Sequence, residues 1–154
     1  MPCTFEEAYS VITTKVNEIW PVVSEAITGF PVEMRYAGIE AVDDDGKVKQ
    51  IPQTHFARFT LQRVVEEEIT IRNGELGRRY EHAGLIIIQI FTDRQEVRCQ
   101  EFGRRLADAA RDIFRGQTFD GGIAFRRCRV NDLDPESKFQ RFNVIVEYEF
   151  DEIA

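Results

Sequence analysis

The unbroken apolar run Leu85–Ile88, continued by Gln89-Ile90-Phe91-Thr92, constrains the fold more than any other part of this chain. A strand with no polar alternation until its fifth residue needs cover on both faces or nearly so, which is the requirement of a central strand. Upstream stand Arg72-Asn73-Gly74 and Gly77-Arg78-Arg79-Tyr80-Glu81-His82-Ala83-Gly84. Asn-Gly is the dipeptide of a two-residue type I′ turn, in which both positions need positive φ. The run is therefore read as one arm of a hairpin. With that turn, Arg72 faces Glu75, Ile71 faces Leu76 and Glu68 faces Arg79, so that opposite charges and an apolar pair share one register. A longer loop through Gly77 would shift every pair. Glu66-Glu67-Glu68 is taken as an extension of the strand that begins near His55, in which Ala57, Phe59, Leu61 and Val65 alternate with Arg58, Thr60 and Gln62.

Around this hairpin the other elements follow from period and punctuation. Thr4-Phe5-Glu6-Glu7 has the form of a capping box, and Phe5, Ala8, Tyr9, Ile12, Val16, Ile19, Val23 and Ile27 recur at helical steps. Pro21 is expected to break or kink that helix near Trp20. Val32 to Tyr36 is a short strand candidate. Ala37 to Thr54, with Asp43, Asp44 and Asp45 ahead of Gly46 and with Pro52 beyond, reads as a mobile loop or flexible hairpin. Asp93 and Glu96 are expected to cap a second helix whose apolar stripe is Cys99, Phe102, Leu106, Ala109, Ala110, Ile113 and Phe114, with Gly116 as its stop. Its other face carries Glu101, Arg104, Arg105, Asp108, Arg111, Asp112 and Arg115. After Gly121-Gly122, a strand from Ile123 to Val130, a turn through Asp132–Ser137 and an alternating last strand close the chain. The expectation is one α+β domain, 1–154: helix 4–29, loop 37–54, strand-rich region 55–92, helix 94–115 and C-terminal hairpin 122–150. About five mostly antiparallel strands would carry two helices on one face.

Composition narrows the function classes. A net charge of -7 argues against general affinity for nucleic acid, which comes from clustered Lys and Arg. Residues 1–77 hold 7 basic and 13 acidic side chains, whereas residues 78–154 hold 13 and 14. Sixteen of the twenty basic residues are Arg, the type favoured where carboxylates and rings are met across an interface. For any single Arg a solvated ion pair is the simpler reading, and on the second helix intrahelical pairing of Glu101 with Arg105, and of Asp108 with Arg104 or Arg111, competes with subunit docking. No segment reaches the ~18 apolar residues that span a bilayer, and Met-Pro-Cys-Thr-Phe-Glu-Glu lacks the form of a secretory signal, so the chain is expected to stay in the cytosol of the cell that makes it.

Local signatures of catalysis are missing. Three widely spaced cysteines, Cys3, Cys99 and Cys128, fit neither a disulfide framework nor a zinc motif and are read as reduced apolar fillers. His55 and His82 lack metal-site spacing, and no Gly-rich loop carries the Lys-Ser/Thr of a phosphate cradle. The expectation is no enzyme, no cofactor and no metal. A constellation built from distant residues stays open, because one sequence does not display it.

The succession from Gly77 to Thr92, then the Ala/Arg helix closing on Asp112-Ile113-Phe114-Arg115-Gly116, then Gly122-Ile123-Ala124-Phe125, resembles the tail terminator or tail-completion proteins of long-tailed bacteriophages. The likeness covers roughly Ala57 to Phe150 and rests on the order and spacing of degenerate motifs. Ala37 to Thr54 has no counterpart in it. The resemblance implies a structural virion protein at the head-proximal end of the tail, assembled in the bacterial host cytoplasm. It implies a ring, typically of six subunits, that ends polymerisation of the tail tube protein and meets a head-completion or connector protein, while DNA passes through without specific binding and no membrane takes part. On that reading Arg78, Arg79 and Tyr80, with Arg104, Arg105 and Arg111, are candidate protein-interface residues, and Asp43, Asp44 and Asp45 face the channel or the tube. Another neck or minor tail protein, a non-viral module that captures a partner along a strand edge, and a small enzyme remain the alternatives.

Overall fold

The computed structural model describes residues 4–37, 54–70, 79–136 and 138–153. Thr4 opens the first helix, α1 (Phe5–Thr28): its Oγ1 accepts the Glu7 amide at 3.2 Å, and Glu6 and Glu7 put negative charge at the positive end of the helix dipole. Ala8, Ile12, Val16, Trp20 and Ser24 form the buried stripe. The break expected at Pro21 does not occur, and α1 runs through it. Anchors on either side explain why: Trp20 Nε1 donates to the Val32 carbonyl at 2.8 Å, and Ser24 Oγ accepts the Val32 amide at 3.0 Å. These buried contacts hold the turns before and after the proline and offset the backbone bond it forfeits. Gly29, at φ 89, ends the helix in the left-handed region.

Six strands follow, one more than expected: β1 (Glu33–Tyr36), β2 (Phe56–Thr70), β3 (Arg79–Asp93), β4 (Thr118–Phe119), β5 (Ile123–Glu136) and β6 (Phe139–Ile153), with the second helix, α2 (Cys99–Phe114), between β3 and β4. They form one sheet in the order β1-β2-β3-β6-β5-β4, parallel at β1–β2 and antiparallel elsewhere. The architecture is α+β, with both helices on one face. No described helix is long and apolar enough to cross a membrane.

β3 and β6 lie at the centre, as the apolar run requires, and of the double cover expected for Leu85–Phe91 the described residues supply one side. Ile86, Ile88 and Ile90 are fully buried on the helix side with Phe142, Val144 and Val146 of β6. On the opposite side Leu85, Ile87 and Gln89 are half-buried, and no described element lies over them. There, Phe56 stacks on Phe91 with ring centres 4.5 Å apart, and Phe139 meets both edge-on, forming a small second core at one end.

The β2–β3 register departs from expectation in an orderly way. From Phe56↔Phe91 to Arg63↔Gly84 it is the register that an Asn73-Gly74 turn would set, but irregularities at Arg63/Val65 and Glu68/Thr70 each displace the pairing by one residue. Glu68 therefore lies opposite Tyr80, and the expected Glu68–Arg79 pair is replaced by an ion pair from Arg79 to Asp151 on β6. Asn73-Gly74 itself lies outside the described residues. The turn expected over Asp132–Ser137 is also corrected, since β5 continues to Glu136 and pairs Leu133↔Arg141 and Glu136↔Phe139. Side chains of β6 hold this polar end in the ladder: Gln140 Nε2 donates to the Leu133 carbonyl at 3.4 Å, and Arg141 Nε to the Asp134 carbonyl at 3.1 Å.

α2 begins later than expected. Asp93 Oδ1 accepts the Gln95 amide at 3.0 Å and its carbonyl accepts the Glu96 amide at 3.0 Å, so Asp93 caps a separate turn, and the helix starts at Cys99. Its buried side is Phe102, Gly103, Leu106, Ala107, Ala110, Ile113 and Phe114, while Cys99 and Ala109 sit half-buried at its margins. A Cβ on Gly103 would lie 2.0 Å from Phe142 Cε2, so the absence of a side chain lets α2 rest on β6.

Candidate functional site: strand edges and a histidine cluster

The sheet ends in two long edges. β1 covers only Phe56 to Phe59 of β2, and β4 only Ile123 and Ala124 of β5. From Thr60 to Thr70, and from Phe125 to Glu136, no described strand pairs with the outward backbone. Unpaired strand edges of this kind are templates for another chain.

The edges differ in charge. Along β5 stand Arg126, Arg127 and Arg129, all well exposed, which pair with Glu149 at 2.6 Å and with Glu147 at 3.5 and 4.0 Å. Along β2 stand exposed Glu66 and Glu67. Arg127 sits at φ 49, within the irregularity that separates Arg126 from Arg129 in the ladder. Between the edges the open face holds a depression of about 520 Å³ lined by Val64, Val65, Leu85, Arg129, Glu147 and others.

The residues singled out from sequence are dispersed. Arg78 and Asp43, Asp44 and Asp45 lie outside the described residues. Arg79 Nε donates to Asp151 Oδ2 at 2.9 Å, which occupies it within the chain, and Tyr80 is half-buried beside it. Arg104 and Arg105 project from the exposed side of α2, with no ion pair to a described residue, whereas Arg111 reaches Asp108 at 3.6 Å and Asp112 at 3.2 Å. Of the helix pairs expected, only Asp108–Arg111 forms. Glu101 pairs instead with Arg98, at 2.8 Å, and that hydrogen bond is the main reason its carboxyl is held below the usual range. The fold therefore does not gather Arg79, Arg104 and Arg111 into one patch; the basic concentration it makes is on β5.

No protein-family model matches the chain, and no curated protein matches it. A solved structure known only by a serial designation is similar over nearly its whole length, with a TM-score of 0.57 and 11% identity across 92% of this chain and 94% of the other. At that identity the likeness is one of fold alone.

Two further features bear on chemistry. Burial pushes the Cys128 thiol up, against the smaller opposing pull of Arg111 and Arg115, so it is poorly prepared as a nucleophile. His82, buried and stacked on Phe150 with ring centres 4.7 Å apart, has Nε2 2.7 Å from Glu152 Oε2 and 3.9 Å from Glu66 Oε1. Three neighbouring strands supply this cluster: Glu66 lies opposite His82, and Glu152 opposite Tyr80, two residues along from His82 on the same face. Its members are far apart in sequence, so no spacing signal marks them. Only a correct register for both strand pairs would have found them.

Proposed function

We propose that this chain is a structural assembly protein that closes into a ring with copies of itself, and that the ring caps a phage tail tube as a tail terminator. The observation that carries the assembly part is the pair of edges left open among the described residues: Arg126, Arg127 and Arg129 crowd one half of the β5 edge and Asp132, Asp134 and Glu136 the other, while on the β2 edge Arg63 is followed by Glu66 and Glu67. The four long strands β2, β3, β6 and β5 alternate in direction. An even number means that the β5 edge of one copy meets the β2 edge of the next antiparallel when both copies point the same way, the head-to-tail relation that cyclic symmetry needs. Complementary charge between the Arg half of β5 and Glu66 and Glu67 of β2 favours that encounter. Intrachain pairs from Arg126, Arg127 and Arg129 to Glu147 and Glu149 do not prevent it, since exposed pairs are worth only about 0–1 kcal/mol and exchange partners readily.

The tail-terminator part rests on the motif order from Gly77 to Phe125. Such a role asks for two end faces and a closed interface rather than catalysis, and it places the protein in the virion with tail tube and head-completion proteins as partners. Arg78, Arg79, Tyr80, Arg104, Arg105 and Arg111 remain candidates for contact with those partners, and Asp43 to Asp45 for the channel.

Light scattering after chromatography under reducing conditions, with and without assembled tail tubes, tests both parts. A closed oligomer, or a ring formed only on tube ends, is expected. R129E alone and E67R alone should each weaken it, raising the concentration at which the oligomer forms, and the chain carrying both should recover part of the loss. A monomer that leaves tube length unregulated would sink the reading and favour a module whose edges take a strand from an unrelated protein. A ring indifferent to both reversals would move the interface elsewhere.

A further inference from the structure

We propose that Glu66, His82 and Glu152 form a binding site for one divalent transition-metal ion of the zinc class. All three ligands come from one chain, so the site does not need the ring, although Glu66 also stands on the β2 edge proposed above to meet a neighbouring copy.

The donor set suits such an ion: one imidazole nitrogen and two carboxylate oxygens are ordinary zinc ligands, and three protein ligands leave a position for water. Donor atoms about 2.0–2.1 Å from a tetrahedral ion stand roughly 3.3–3.4 Å apart. The distances of 2.7 and 3.9 Å from His82 Nε2 bracket that value, and all three donor atoms lie within 4.8 Å of one another. Seating the ion takes a change of roughly 0.6 Å in each His82 contact and closure of the two carboxylates by up to about 1.4 Å. Glu66, at 59% side-chain exposure, is free to make its shift.

Electrostatics points the same way. Among the described residues neither Glu66 nor Glu152 has an ion-pair partner except His82, whereas the adjacent Asp151 is matched by Arg79. Two carboxylates thus share one imidazole. A dication placed between them balances both charges and takes the lone pair of Nε2, with the imidazole proton carried on Nδ1. His82 is already oriented for this, since its ring is clamped against Phe150 and its Nε2 is turned toward the carboxylates. Bound there, the ion would cross-link β2, β3 and β6 beyond the first turn of α1, where the sheet has its irregular β2 register.

The test uses the full chain, stripped with a chelator and kept reduced with a phosphine that does not bind zinc. Zinc chloride titrated by calorimetry should bind at one ion per chain. Cobalt(II) in its place should give the visible bands of nitrogen and oxygen ligation without the near-ultraviolet charge transfer of a thiolate. E66Q, which alters an exposed side chain and keeps the His82–Glu152 hydrogen bond, should weaken binding at least about tenfold with the fold intact by circular dichroism. H82Q should abolish binding, and C99S/C128S should leave it unchanged. Absence of stoichiometric binding, equal affinity in wild type and E66Q, or a thiolate signature removed by C99S/C128S would each overturn the proposal.

Discussion

The two faces of β3 and β6 are made by the same residues in alternation, yet they differ in what completes them. Toward the helices, Ile86, Ile88, Ile90, Phe142, Val144 and Val146 are sealed by α1 and α2. On the other side Leu85, Ile87 and Ile145 lie half-buried among Arg129, Glu147 and Asn143, and only the Phe56–Phe91–Phe139 cluster at one end is closed. An apolar run in sequence reports how much cover a strand can use. It does not report which part of the chain supplies it: among the described residues one face is finished by the helices, while the other shows apolar centres ringed by charge.

Truncating one residue on each face of β6 should separate the two faces most clearly. Phe142→Ala should cost about 3–5 kcal/mol in denaturant unfolding, because the fixed helices cannot collapse into the space. Ile145→Ala on the open face should cost about 1 kcal/mol, in keeping with its partial burial. Equal losses would mean that the open face is packed as tightly as the covered one. Tyr148→Phe gives a smaller effect. The hydroxyl, its pKa pushed up to about 12 chiefly by burial, donates to the Gln62 carbonyl at 3.1 Å, just before the first irregularity of β2. Its loss should cost about 1 kcal/mol and raise amide exchange around Gln62. An unchanged midpoint and exchange pattern would show that the contact contributes nothing.

The smallest effect is a pH dependence on the covered side. His55 stacks on Phe30, meets Phe102 edge-on, and accepts the Asp93 amide at Nδ1 over 3.0 Å, which requires an uncharged ring. Burial lowers its pKa from the usual 6.5, against the weaker opposing pull of Asp93 and Glu96. The unfolded chain therefore binds this proton more readily than the folded one, so the contribution is complete above about pH 6.5 and is lost as pH falls below it toward the depressed folded value. His55→Gln should flatten that part of the stability profile. A wild-type profile level from neutral pH to about pH 5, once carboxylate titration is matched in the variant, would contradict it.

The α+β class, both helices and the central position of Leu85–Phe91 were legible because each rests on a long periodic pattern. The errors have local causes. Pro21 signals a break, but Trp20, Ser24 and Val32 meet only in three dimensions and overrule it. Asp93 and Glu96 look like a helix start because an isolated turn uses the same capping chemistry. Asp132 to Glu136 reads as a turn by composition, and becomes strand because Gln140 and Arg141 reach across to hold it. The Glu68–Arg79 pairing failed by the one residue that β2 inserts between Arg63 and Val65, and the same insertion places Glu66 opposite His82. The candidate site was illegible for that reason: its members come together through a register that no local pattern encodes.

The contact between Gly103 and Phe142 also has a consequence for how the chain can change over generations. The three atoms that a methyl group at position 103 would meet first all belong to the ring of Phe142, at 2.0 to 2.7 Å. The two positions share one volume, so position 103 cannot gain a side chain while Phe142 is kept. Any side chain on the helix requires a smaller one on the strand, so their effects should be strongly non-additive and a library that varies them together should recover exchanges that single substitutions exclude. They form a single heritable unit split between two elements, and through it the separation of α2 from the sheet is conserved or lost as a whole.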